Sequence, residues 1–173
     1  MNTDEVFRKI DTFIFDMDGV LTDGKVLVLE NGLQARVMSI RDGYAIQLAV
    51  KKGYRVSIVS GADSLPVTDR LRRLGVSEVY MAVKEKGIFI RDYCRQRGIS
   101  RERVLFMGDD MPDLPVAGVA GIFCCPSDAV AEITAVADYV SPLAGGQGCV
   151  RDVIERVLKL NDHWNNDVSA TSS

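Results

Sequence analysis

The chain has 173 residues, 47% of them hydrophobic, and a formal net charge of −3. That is enough for one substantial core, and too acidic a balance for a broad nucleic-acid or anionic-membrane footprint, which needs a basic surface. A small-molecule or protein partner is therefore expected, with no nucleic-acid and no membrane partner.

The opening residues, MNTDEVFRKIDTF, lack the apolar stretch of a secretory signal. No apolar run reaches the roughly 18 residues that span a bilayer, so a cytoplasmic protein is expected. The first strand is TFIFD (12–16), and it runs straight into Asp16, Asp18 and Gly19. Next comes KVLVLENGLQARVMSI (25–40), two β-rich runs around Asn31-Gly32, which predict a hairpin with a type I′ turn. An exposed two-stranded hairpin is marginal alone, so it is expected to pack on something, for example another subunit.

From there strands and helices alternate. RVSIVS, EVYMAV, RVLFMGD, GIFCC and DYVS are predicted strands; GYAIQLAVKKG, LPVTDRLRRLG, KGIFIRDYCRQRG, MPDLPVAGVAG, AVAEITAVA and CVRDVIERVLKLN are predicted helices. The pattern is that of an α/β fold, a Rossmann-like parallel sheet flanked by helices, forming a single domain over 1–173. The hairpin is an insertion at about 25–40, and a polar tail occupies about 161–173. Asp42, just before GYAIQLAV, reads as a helix N-cap. Cys94, Cys124, Cys125 and Cys149 lack CxxC spacing and are expected as buried free thiols, with no zinc site. His163, the sole histidine, falls in the polar tail, which disfavours a histidine-based triad.

In an open parallel sheet, ligands gather beyond the carboxyl ends of the strands. The chemically able residues fall there repeatedly: Asp16 and Asp18 after the first strand, Ser60 and Gly61 after RVSIV, Lys86 after EVYMAV, and Gly108, Asp109, Asp110 and Asp113 after RVLFM. Taken singly, each has a plain structural role, since an aspartate after a strand commonly caps a helix and a lone lysine is commonly solvated. Taken together, several carboxylates in one small space call for a hard divalent cation, and magnesium suits oxygen ligands and substrate phosphate.

These motifs, Asp16-Met17-Asp18-Gly19, Ser60, Lys86 and Gly108-Asp109-Asp110-Met111-Pro112-Asp113 in that order, resemble those of the haloacid dehalogenase superfamily. The DGVLTDG extension, a hairpin in place of a cap domain, Arg41-Asp42-Gly43-Tyr44 and Ala144-Gly145-Gly146-Gln147-Gly148 are similar to the capless 3-deoxy-D-manno-octulosonate 8-phosphate phosphatase family. The resemblance implies a magnesium-dependent monoester phosphatase of lipopolysaccharide biosynthesis, acting through an aspartyl-phosphate. Asp16 would be the nucleophile and Asp18 the general acid and base. Asp16, the carbonyl of Asp18, and Asp109 would hold Mg2+; Ser60, Gly61 and Lys86 would hold the phosphoryl group, with Asp110 and Asp113 orienting Lys86 or metal-bound water. It further implies a homotetramer in which hairpins pack together and a neighbour closes the site.

Two positions depart from the family pattern: Ala62 and Gln147 stand where arginine is common. Arg70 and Arg73, with Gly146 and Gln147, are the candidate contacts to the sugar acid. The alternatives are the nine-carbon 2-keto-3-deoxynononate 9-phosphate, another small sugar phosphate, or a phosphate-binding module without turnover. The last would be expected to have lost Asp16, Asp18 or Lys86, all of which are present.

Overall fold

The computed structural model describes residues 3–164. A short helix, α1 (Thr3–Arg8), leads into β1 (Thr12–Phe15), the hairpin strands β2 (Leu27–Val28) and β3 (Gln34–Ala35), and α2 (Ile40–Lys51). Then follow β4 (Arg55–Val59), α3 (Leu65–Arg73), β5 (Glu78–Tyr80), α4 (Lys86–Arg97), β6 (Val104–Met107), β7 (Ile122–Cys125), α5 (Ala131–Val136), β8 (Tyr139–Val140) and α6 (Cys149–Leu160). Six strands form one sheet in the order β5-β4-β1-β6-β7-β8. All its pairings are parallel, with Phe15 of β1 opposite Ile58 on one side and Met107 on the other.

The central strand is apolar throughout because both of its faces are covered. Phe13 and Phe15 point into a core shared with Leu48, Val153, Ile154 and Val157 of α2 and α6. Ile14 points the other way, toward Ile90 and Tyr93 of α4 and Ile133 of α5. Cys124 and Cys125 likewise divide between the two cores, and all four cysteines are free and buried. Each buried Phe or Ile of these layers stabilises the fold by about 1.5–3 kcal/mol. In α6, Val150, Val153, Ile154, Val157 and Leu158 recur at helical spacing, and all are buried.

Four local expectations need correction. The hairpin turn is not type I′: of Asn31 and Gly32 only Gly32 takes a positive φ, +81°. Gly32 N donates to Leu29 O and Leu29 N to Leu33 O, both at 2.9 Å, so the connection has three residues with a bulge at the glycine. The segment 111–121 is helical only over Met111–Val116, as a tight 3-10 turn. Pro112 and Pro115 supply no amide to continue an α-helix. Asp42 is not the cap of α2; Ser39 is, accepting from Asp42 N at 3.3 Å. Instead Asp42 Oδ1 accepts from Arg151 N at 2.7 Å, capping α6, whose own N-cap, Gly148, has no side chain to offer.

The start of the expected tail is also ordered against the core. His163 Nδ1 lies 2.8 Å from Tyr54 Oη, and Trp164 packs edge-on against Tyr44. Residues 165–173 of that segment lie outside the described residues.

Candidate active site

β1, β4 and β6 are neighbours, and the chain leaves β1 for one side of the sheet before returning to the other, so their carboxyl ends border one crevice. Asp16 extends the β1 ladder through its amide, which donates to Met107 O at 3.0 Å. Its side chain is 10% exposed. Asp16 Oδ1 accepts from Met17 N at 2.7 Å and lies 2.8 Å from Lys86 Nζ. Lys86 opens α4, is 3% exposed, and also donates to Asp113 Oδ1 at 2.6 Å. Asp113 is fully buried, its second oxygen accepting from Asp109 N at 2.9 Å.

Two glycines make these approaches possible. A Cβ on Gly19 would lie 1.9 Å from Asp109 Oδ2, and one on Gly108 would lie 2.4 Å from Asp113 Cγ. Gly19 also takes a φ of +86°, turning the chain directly after Asp18. The glycines of the late AGGQG segment serve the same loop from its other side. Gly146 N donates to Val20 O at 2.9 Å, and a Cβ on Gly145 would lie 2.0 Å from Gly19 O. Gly145 N donates to Asp128 Oδ1 at 2.9 Å.

Asp16, Asp109 and Asp113 each bring a carboxylate oxygen within 4.8 Å of the others. Burial lifts the Asp16 carboxyl to about 7, with Asp113 adding to the effect and Lys86 opposing it. Burial likewise lifts Asp109 to about 8, reinforced by Asp16, Asp113 and Asp110. Burial alone would pull the Lys86 ammonium down; Asp16 and Asp113 outweigh it and its pKa is raised. Asp109 Oδ1 is buried with no hydrogen-bond partner. Asp113 is already committed to Lys86 and to backbone amides, so the side chains available to a cation are those of Asp16 and Asp109. An orphaned carboxylate oxygen beside a second buried carboxylate fits a hard divalent ion.

Ser60 is 1% exposed, its amide donating to Tyr80 O and its carbonyl accepting from Val83 N, each at 2.9 Å, which ties the ends of β4 and β5 together. Its Oγ accepts from Ala62 N at 3.1 Å, and Gly61 is exposed beside it. Asp110 is exposed and caps the 3-10 turn through Met111 N at 2.7 Å, making no contact with Lys86. Gln147 is exposed and, with Arg41 and Arg151, lines a groove along α6. Arg70 lines a different groove, of about 610 Å³, between α3 and the hairpin. Arg73 is exposed in the last turn of α3, the end that returns toward the amino ends of the strands, so the fold does not bring it to the acids.

One residue escaped the sequence reading. Arg36, on the return limb of the hairpin, grips Asp18 with both arms: Nε lies 2.7 Å from Oδ1 and Nη2 lies 3.1 Å from Oδ2. The available signal was a lone arginine amid the apolar residues of the second β-rich run.

A family model described as haloacid dehalogenase-like hydrolase matches residues 74–151. The 3-deoxy-D-manno-octulosonate 8-phosphate phosphatase of Escherichia coli K12 is 36% identical over 151 residues, covering 87% of this chain and 80% of that protein. The chain belongs to that phosphatase family. As a member of the 3-deoxy-D-manno-octulosonate 8-phosphate phosphatase family it is a phosphoric monoester hydrolase. Solved structures of family members agree with its fold. The Yersinia pestis phosphatase superimposes with a TM-score of 0.91 at 28% identity, covering 98% of this chain and 90% of that one. A Moraxella catarrhalis phosphatase, solved in complex with a magnesium ion, a phosphate ion and KDO, gives a TM-score of 0.88 at 28% identity over 94% of this chain and 95% of that one. Among the described residues no helix is long and apolar enough to cross a membrane.

Proposed function

We propose that this chain hydrolyses 3-deoxy-D-manno-octulosonate 8-phosphate to KDO and phosphate, using magnesium and an aspartyl-phosphate at Asp16. The observation that carries the reading is the buried contact of Asp16 with Lys86, beside the unpartnered oxygen of Asp109. Magnesium, held by Asp16, the backbone carbonyl of Asp18, and Asp109, would neutralise these carboxylates and the phosphoryl oxygens. Met17 N and Lys86 fix one Asp16 oxygen, and the carboxylate attacks phosphorus as the bond to the sugar oxygen breaks. Asp18 gives its proton to that leaving oxygen. It then takes a proton from the water that attacks the acyl phosphate, releasing phosphate and restoring Asp16, a role worth about 10²–10⁴-fold in rate. Lys86, with Ser60 and the Gly61 amide, stabilises charge on the transferring group, and Asp113 holds Lys86 toward it.

In this reading residues 1–173 form one phosphatase domain acting in the cytoplasmic route to lipopolysaccharide. The exposed Leu27, Val28, Leu33 and Val37 of the hairpin, 63–71% accessible, support packing between copies in a homotetramer. A sedimentation mass of one chain at working concentration would refute that assembly. The direct test of the reaction is phosphate release from the eight-carbon and nine-carbon sugar-acid phosphates, with magnesium and with chelator. Magnesium-dependent preference for the eight-carbon acid is expected. Preference for the nine-carbon acid reassigns the substrate, and no release from either overturns the substrate class.

A further inference from the structure

We propose that Arg36 is a positioning residue for Asp18: from the hairpin it sets the plane in which that carboxylate meets the leaving-group oxygen. The inference rests on the acid–base role given to Asp18 above.

The pair differs from an ordinary surface ion pair. The Arg36 side chain is only 7% exposed while that of Asp18 is 32% exposed, so the anchor is more buried than the group it holds. Exposed pairs between two mobile side chains fix little. A planar guanidinium gripping both oxygens fixes the carboxylate plane as well as its place. Asp18 needs this, because it lies past the end of β1, in the turn where Gly19 reverses the chain. Its one further side-chain partner among the described hydrogen bonds is Thr22 Oγ1, 3.3 Å from Oδ1.

The two oxygens are held unequally. Among the described residues, Oδ1 has Arg36 Nε at 2.7 Å and Thr22 Oγ1 at 3.3 Å, whereas Oδ2 has only Arg36 Nη2 at 3.1 Å. Oδ1 is thus the anchored atom and Oδ2 the working one. When substrate enters, the longer Nη2 contact yields while Arg36 Nε and Thr22 Oγ1 keep Oδ1 anchored. The proton on Oδ2 passes to the sugar oxygen as the P–O bond breaks, and Oδ2 later receives a proton from the attacking water.

The limb that carries Arg36 is tied to the active-site loop by the Thr22–Met38 bridge and to the rest of the hairpin by two strand pairs, Leu27 with Ala35 and Val28 with Gln34. A neighbouring copy is not required for the grip, since it forms within one chain.

The test compares kcat/KM for three phosphate esters in the magnesium-loaded protein: the eight-carbon sugar-acid phosphate, a neutral sugar phosphate, and p-nitrophenyl phosphate, whose leaving group departs without a proton. Arg36→Met is expected to lower kcat/KM about 10- to 100-fold for both sugar phosphates, a partial loss of the roughly 10²–10⁴-fold that proton transfer supplies, and less than about 3-fold for p-nitrophenyl phosphate. Arg36→Lys, which keeps the charge and loses the fork, should lie between. Equal loss on all three esters would make Arg36 merely structural and overturn the proposal. Loss confined to the sugar-acid phosphate would make it a carboxylate contact instead, and unchanged kinetics would remove it altogether. Asp18→Asn, measured alongside, should show the same leaving-group pattern; if it is unaffected on all three, the acid–base role of Asp18 fails, independently of what Arg36 does.

Discussion

Asp16 sits where a neutral side chain of the same shape changes the chemistry and little else. Asp16→Asn keeps the volume and an oxygen to accept from Met17 N, so fold content by circular dichroism should be retained while phosphate release disappears. Normal turnover by that variant would remove Asp16 from the nucleophile position. Asp42 offers a second residue-level test, at the start of α6 and outside the proposed metal ligands. Burial lifts its carboxyl to about 6, against the nearby Arg151 and Gly148 amides that pull it down. Between its unfolded value of 3.8 and about 6, the folded state holds a proton that the unfolded state has released. This group's contribution is therefore most favourable below pH 4 and is lost as pH rises toward 6. Asp42→Asn removes that slope and can still accept from Arg151 N. Relative to the parent, the variant should gain about 2–3 kcal/mol in urea unfolding between pH 4 and pH 7. A difference that does not vary with pH would contradict the assignment.

At the level of elements, the sheet and its helices were legible because burial on both faces of β1, β4, β6 and β7 leaves mainly apolar runs, and the helices carry apolar residues at helical spacing. The acids were legible for a related reason: they interrupt apolar strands at the same end. What escaped was set by contacts distant in sequence. Asp42 looked like a local cap, and its partner is 109 residues away; Arg36 was not singled out, and its partner lies across the turn after β1. The turn type was missed because Asn-Gly fits both a two-residue and a three-residue connection, and register decides between them. α1 was not predicted, being six residues long with one buried side chain, Phe7. The glycines of the AGGQG segment set an element-level expectation. Gly145→Ala should reduce activity at least 10-fold and lower the melting temperature, since its Cβ would collide with Gly19 O. Gly32→Ala, with φ +81° but nothing within 4 Å, should cost only about 1 kcal/mol of backbone strain and leave the core midpoint nearly unchanged. Calorimetry and phosphate release on the two variants side by side separate collision from strain.

For the whole molecule, the crowded carboxylates make folding stability and metal occupancy one quantity. An ion bound only by the folded state raises its stability by RT ln(1 + [L]/Kd), about 2.7 kcal/mol at a hundredfold excess over Kd. Magnesium should accordingly raise the thermal midpoint, chelator should reverse the rise, and Asp109→Asn should abolish it without loss of the parallel sheet. An unchanged midpoint in the parent at saturating magnesium would argue against the site. The hairpin has the opposite character. It holds only two paired residues per strand and exposes its apolar side chains, yet it supplies the arginine that grips Asp18. Once neighbouring copies separate, such a ribbon opens at far smaller free energy than the sheet beneath it. Heat should therefore silence the protein before it melts it: the activity curve should fall several degrees below the calorimetric transition and recover on cooling, a reversible dormancy written into a lightly paired ribbon.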